Sequence, residues 1–337
     1  MPKTNLKAAL SHLADISPTT MGDSPTLQRA SKKAIEIVLN PATERNAVFQ
    51  HSILCQTFLP YKNPGDDVRD VQKRQGRAVL SLEAGSIFNP NLEVFEKVGL
   101  PYGAKARLIL SYISTQAVRQ QNPIVDVENS MTAFIKRIGL NADGVTIRLA
   151  KEQLKRLAAT RMSIGFVVDA ATRRGMQTNL NLIQSFDVWF PEDSRQKTMW
   201  SSQVKLSEEY FNSLINHAIP LDERALAALS NNALALDTYS WLAQRLHRVK
   251  IGQPEFVHWE GLKEQFGEGY ADMFKFKQKF RQTLKLVLSQ YKDAKIEEDK
   301  NKGFFLQHSP TPIPFSQFQG LSVAKPKNDE QTKLKLF

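Results

Sequence analysis

The sequence holds one cysteine in 337 residues, Cys55, set inside the apolar run SILCQTFL. That excludes a disulfide framework and points to a buried structural thiol. No run of about 18 apolar residues occurs, so no membrane span is predicted. The opening stretch carries only a short apolar patch, broken by His12 and Asp15. It lacks the continuous apolar core of a secretory signal, and a cytoplasmic location is expected. The phosphate-cradling pattern G-x-x-x-x-G-K-[ST] is missing, and no G-x-G-x-x-G follows a strand, so no nucleotide hydrolysis is expected. The six histidines never fall at H-x-x-x-H or H-E-x-x-H spacing. No zinc site, cofactor or enzymatic activity is therefore expected.

Asp66, Asp67 and Asp70 lie together in NPGDDVRD. Three neighbouring carboxylates suit a metal-dependent nuclease. A Pro-Gly turn followed by a solvated loop explains them more simply.

What the chain does have is positive charge: 45 Lys and Arg against 34 Asp and Glu, a net +11. Such an excess favours a polyanionic partner. Hydrophobic residues make up 42%, enough for a substantial core.

The order of elements narrows the reading. Residues 1–45 are expected to form a mobile N-terminal arm and one helix, SPTLQRASKKAIEIVLN, with a Ser cap and Pro in its first turn. Residues 46–100 alternate strand-like runs (VFQHSILCQTFLPYK, GRAVLSLEAGSIF, LEVFEKVGL) with NPGDD and NPN turns. From residue 101 the order is helix, short strand, helix, turn, helix, hairpin. That is the order of a winged helix-turn-helix. It recurs later, with Gly139 and Lys151 matched by Gly267 and Lys279 at a spacing of 128. The predicted fold is α+β, with tandem winged helices at 46–200 and 201–315 and a disordered C-terminal tail over 316–337.

Two helices attract interest on a wheel of about 100° per residue. In 145–160, Ile147, Ala150, Leu154, Leu157 and Ala158 share one face. Arg148, Lys151 and Lys155 share the next, with Glu152 and Arg156 at its edge. In 273–292, Met273, Phe276, Phe280, Leu284, Val287, Leu288 and Tyr291 form the apolar stripe. Lys275, Gln278, Lys279, Gln282, Lys285 and Ser289 face away. This second stretch has six Lys or Arg and no acid, so it repels itself unless an anion neutralises it. Lysines supply phosphate contacts, and glutamines can pair with adenine edges in a major groove. Arg161 opens the first hairpin. Arg173 and Arg174, and Lys300 and Lys302, fall at the two wing tips.

The blocks GLPYGAKARLILSYISTQAVR, SMTAFIKRIGL, AKEQLKRLAA and LALDTYSWLAQRLHR resemble the plasmid-encoded RepA replication initiators of bacteria, over about residues 45–315. The resemblance implies tandem winged helices that bind repeated origin sites (iterons) in double-stranded DNA and help open the duplex. It also implies recruitment of the host initiator and helicase, copy control of the plasmid, and repression of the initiator's own gene. Two such domains would sit on successive major grooves, roughly 10 bp apart. A homodimer stays open. The rival reading is a winged-helix transcriptional repressor with no part in replication.

The closing QTKLKLF resembles the short motif that docks bacterial proteins on the polymerase sliding clamp, with Gln331, Leu334, Leu336 and Phe337 as the matching positions. Finally, LALDTYSWLAQRLHR reads as an amphipathic helix. Asp237, Ser240, Gln244, His247 and Arg248 are expected outside, and Trp241 is expected against a neighbouring element.

Overall fold

A computed structural model describes residues 25–75, 78–126, 131–137, 139–169, 174–186, 203–300 and 302–318. Residues 1–24 of the expected arm, residues 319–337 of the expected tail, Arg173 and the four clamp-motif residues lie outside these. In chain order the elements are α1 (Pro25–Leu39), β1 (Ala47–His51), β2 (Asp70–Gln75), β3 (Ala78–Glu83), β4 (Ser86–Asn89) and β5 (Val94–Lys97). Then come α2 (Gly103–Gln120), β6 (Ile124–Asp126), α3 (Met131–Arg137), α4 (Gly144–Ala159), β7 (Arg161–Asp169) and β8 (Arg174–Asn181). Next are β9 (Ile183–Phe186), β10 (Gln203–Leu206), α5 (Glu208–His217), β11 (Ala218–Asp222), α6 (Glu223–Leu229) and α7 (Ala233–Leu246). Last come β12 (Glu255–His258), α8 (Trp259–Phe266), α9 (Met273–Gln290), β13 (Ile296–Asp299) and β14 (Gly303–Leu306).

These elements form two compact units, and one is discontinuous. Residues 49–218 make the first; 25–48 and 219–318 make the second. The chain crosses between them within β1 and again within β11. The helix α1, which the sequence reading sets apart with residues 1–45, is part of the second unit. There it packs on α9 and α6. Gln290 Nε2 donates to the Ala30 carbonyl at 2.9 Å, and Arg224 Nη1 donates to the Asn40 carbonyl at 2.8 Å. Likewise α5, expected in the later domain, belongs to the first unit.

In the unit of residues 49–218, α2 is the central helix, and its polar residues are held by specific partners. Arg107 donates to the carbonyls of Gly103 at 2.8 Å and Pro60 at 3.3 Å. Thr115 Oγ1 accepts from the Phe49 amide at 2.8 Å. An antiparallel sheet of order β2-β3-β7-β8 lies in this unit beside a second of order β6-β10-β9. The short strand β6 pairs with β10 and not with the β7–β8 hairpin. That departs from the simplest winged-helix sheet.

In the other unit the sheet order is β12-β14-β13. β14 runs close to β12 because Gly303 adopts φ +155°. A Cβ at that position would collide with the Val257 carbonyl oxygen, so glycine is required there. Trp259, fully buried, anchors the core, with Phe276, Phe280 and Phe304 at ring separations of 6.3, 6.0 and 4.9 Å.

The helix α7 corrects an expectation. Asp237, Ser240 and Gln244 are buried, not outward. The helix packs against both α6 and α9, so nearly every side is covered. Trp241 meets Phe266 of α8 edge-on at 5.3 Å, within its own unit. Of that face Arg248 alone is exposed, and His247 is half-buried.

Candidate nucleic-acid interface

The face of interest on α9 is built by its N-cap and its core stripe. Asp272 caps the helix, accepting from the Lys275 amide at 2.9 Å. Phe276, Phe280, Thr283, Leu284 and Val287 are buried and fix the rotation of the helix. That rotation leaves Lys275, Gln278, Lys279, Gln282 and Lys285 exposed together. Ser289, expected on the same face, is buried and donates to the Leu286 carbonyl at 2.7 Å.

The remaining bases of α9 have structural work. Lys277 Nζ lies 5.3 Å from the centre of the Trp259 ring and the Arg281 guanidinium 5.0 Å. Arg281 also pairs with Glu298 of β13 at 2.7 Å. The outer cations are thus Lys275, Lys279 and Lys285, with Lys300 and Lys302 exposed on the β13–β14 turn.

The helix α4 is different. Asp143 caps it, accepting from the Thr146 amide at 2.8 Å. Arg148 and Arg161 are exposed, and Lys151 and Lys155 are half-buried. Arg156, expected to contact DNA, is only 5% exposed and has another role. It pairs with Glu152 and Asp66, each at 2.7 Å, and donates to the Leu100 carbonyl at 3.2 Å. Its guanidinium also lies over the Tyr102 ring at 5.3 Å. Asp66, a member of the acidic cluster, is therefore engaged by an arginine. Among the described residues no group of three His, Cys, Asp or Glu is placed to hold a metal.

The reason for Arg156 lies in the register of the two helices. Buried Ala150, Gln153, Leu154, Arg156 and Leu157 correspond to Phe280, Thr283, Leu284, Leu286 and Val287, a spacing of 130. The spacing of 128 read from Gly139 and Lys151 is out of phase here. On the structural register Arg156 occupies the core position that Leu286 fills in α9. Lys151 corresponds to Arg281, and Lys155 to Lys285. Lys155 lines a cleft of about 200 Å³ with Asp66, Glu96 and Glu152. Burial lowers its pKa, and the charges of Glu152 and Glu96 work against that shift. The α4 surface is thus of mixed sign and the α9 surface is positive. The backbone of Arg174 lies at the start of β8. Phe274, not singled out by sequence, is 75% exposed in the first turn of α9. The signal was present, because Phe274 falls off the apolar stripe on a helical wheel.

One other cluster has a catalytic look. His51 Nε2 lies 2.8 Å from Ser213 Oγ, beside Tyr210 and His217. His51 Nδ1 accepts from the Ile53 amide at 3.1 Å, so the proton sits on Nε2 and is donated to Ser213. A ring in that tautomer does not take the serine proton, and the pair is a structural bridge.

Burial, with the charge of His217 second, pushes the His51 pKa down to about 3. Burial likewise lowers His247 to about 4, with a hydrogen bond to the Ala243 carbonyl opposing it and Arg248 and His308 adding to it. In the unfolded chain both rings titrate near 6.5. Between that pH and 3–4 the unfolded state holds more protons. Stability is therefore full above about pH 6.5 and falls as the pH drops below it, by about 1.4 kcal/mol per pH unit for each ring. Urea unfolding at pH 6.5, 5.5 and 4.5 should show this slope, and His51→Gln should remove about half. An unchanged slope in the variant would contradict the assignment.

No helix of the described residues is long and apolar enough to cross a membrane. No curated protein matches the chain. Two solved structures resemble it at 10% identity. One, of domain 2 and domain 3 of RctB, has a TM-score of 0.46, covering 75% of this chain and 94% of that one. The other, of RctB domains 2-3, has a TM-score of 0.44, covering 76% and 96%. Residues 100–260 match the family model of the plasmid-encoded RepA protein. The match runs from the residues before α2 into the start of α8, and so takes in α4 and stops short of α9. Over those residues, a little under half of its length, the chain is similar to the plasmid-encoded RepA proteins.

Proposed function

We propose that this chain is a plasmid replication initiator of the RepA family that binds repeated sites in origin DNA through the outer face of α9. The observation that carries the reading is the sign of that face: Lys275, Lys279 and Lys285 are exposed beside Gln278 and Gln282, with no acid in the helix. The surrounding order supports docking in a major groove. A strand, the helix α8, a turn, α9 and a hairpin follow one another, with sheet order β12-β14-β13. This order matches a winged helix, in which the second helix lies in the groove and the hairpin reaches a flanking phosphate. Lys300 and Lys302 stand on that hairpin. Arg148 and Arg161 offer a second, weaker contact from the unit of residues 49–218. Origin opening, recruitment of the host initiator and helicase, and docking of the clamp motif at the C-terminus extend the same reading, as does a cytoplasmic, non-enzymatic role.

A repressor that only silences its own operon would use the same face, so binding alone does not separate the two. The test pairs a mobility-shift assay on the direct repeats beside the gene with a maintenance assay. The expected result is selective binding to the repeats over scrambled DNA, and survival of a replicon whose only initiator gene is this one. Selective binding without survival would make the protein a repressor. No preference for the repeats would remove the origin-binding reading altogether.

A further inference from the structure

The reading of α9 as a DNA-docking helix leaves Phe274 without a folding role. Its neighbours in sequence explain why it is where it is. Asp272 fixes the start of the helix, and Phe276 and Phe280 enter the core against Trp259. Two residues before Phe276, at about 100° per residue, the side chain of Phe274 is turned to the opposite side. It is 75% exposed there, so burial contributes little to holding it. On the same wheel Gln278 lies one turn above it, and Lys285 and Gln282 continue the row. Lys275 and Lys279 lie together on one side of that row, and both are exposed. A bare phenyl ring therefore sits at the edge of a positive, amide-bearing face, beside the row of Gln278 and Lys285. Surface phenylalanines standing alone are common and need no explanation. This one stands in the first turn of the helix, the part of a recognition helix that meets base edges.

We propose that Phe274 is a specificity-determining residue that packs on the 5-methyl group of thymine in the major groove. The charge of the face selects the partner, a polyanionic duplex. An apolar ring in that setting has one apolar group to meet on the base edges, the methyl of thymine. Gln278, one turn on, has the paired donor and acceptor that match adenine N7 and N6. Phenyl and amide together make an A·T step the preferred target of α9. The proposal rests on the origin-binding reading and adds to it the base that is read.

The test uses the whole origin fragment, so the position of the site within it need not be mapped first. The fragment is amplified once with dTTP and once with dUTP, which gives the same sequence with and without thymine methyls. Wild type and Phe274→Ala are titrated against both by mobility shift at one salt concentration. Wild type is expected to lose about fourfold in affinity on the uracil DNA for each methyl seated on the ring. Phe274→Ala is expected to bind thymine DNA as weakly as wild type binds uracil DNA, and to lose little more on the uracil fragment. Its melting temperature should match wild type, since the ring is exposed. Equal binding of wild type to the two DNAs would overturn the proposal. So would an equal loss in wild type and variant, which would place methyl contact elsewhere. If wild type shows no preference for the thymine origin over scrambled DNA, the failure lies in the origin-binding reading, and the proposal falls with it.

Discussion

Replacing Lys275, Lys279 and Lys285 together by alanine is expected to reduce origin binding to the non-specific level while leaving the fold intact. Each lysine is exposed on the outer face of α9, so truncation opens no cavity. Stability should change by no more than about 0.5 kcal/mol per site. The effect on DNA is larger because each phosphate contact releases a condensed counterion. The slope of log affinity against log salt changes by about 0.9 per phosphate neutralised. Three lost contacts flatten it by about 2.7, so between about 50 and 200 mM salt the variant should lose about fortyfold less affinity than wild type. A matched control removes the same net charge elsewhere: Lys32, Lys62 and Lys250, all exposed and outside the 273–292 stretch, to alanine. The control should keep both affinity and slope. Unchanged binding in the α9 variant at fixed salt would sink the site assignment, and equal loss in both would reduce it to net charge alone.

The second large effect is on stability. Trp259 is fully buried under Phe276, Phe280 and Phe304, and carries Lys277 and Arg281 near its ring. Trp259→Ala should cost about 3–5 kcal/mol through the cavity it leaves. Loss of the two cation–ring contacts adds about 0.5–1 kcal/mol each. Set against a typical folding stability of about 5–15 kcal/mol, that is enough to unfold much of the unit that holds α9. Thermal melting by circular dichroism should show a lower transition, and DNA binding should vanish with it. Trp259→Phe should cost clearly less. The indole N–H has no hydrogen-bond partner in the core, so its removal strands no other group. A melting temperature for Trp259→Ala within a few degrees of wild type would contradict the packing argument. The two experiments separate the roles of one helix: the lysine variant folds and does not bind, and the tryptophan variant does neither.

Much of this was legible in the sequence wherever a local rule governs. The helix α9 follows from an unbroken 3.6-residue apolar period and charge of one sign. Its outer lysines and glutamines lie where the wheel puts them. The turn at Gly303 and the hairpin around it follow from the Asn301–Gly303 turn residues between the short runs KIEED and FFL.

What was hidden depends on partners distant in sequence. Arg156 has the spacing of an edge cation on α4. Its burial comes from Asp66 and the Leu100 carbonyl, ninety and fifty-six residues away. Asp237, Ser240 and Gln244 look like an outer face because polar side chains normally are. They are buried because α7 is covered on several sides, which no single-helix pattern encodes. The spacing of 128 was read from matching letters. The spacing of 130 is read from which side chains the core covers, and only the second places Arg156. Phe274 lies off the apolar stripe by its angle, and its exposure depends on no neighbouring element covering it, which a single helix does not encode.

The interrupted unit sets an order of events during synthesis. α1 leaves the ribosome first among the described helices, yet its partners α6 and α9 come roughly two hundred residues or more behind it. Residues 49–218 are complete in the meantime and can close on themselves, since domains generally fold as units as they emerge. Until α6 arrives, α1 has its buried face, Ala30, Ala34 and Ile37, with nothing of its own unit to cover it, and until α9 arrives that cover is partial. Among the described helices α9 is thus the last long one to be made and the one that completes the cover of α1. A ribosome that stalls before residue 273 holds a chain in which α1 has α6 but not α9 to pack on.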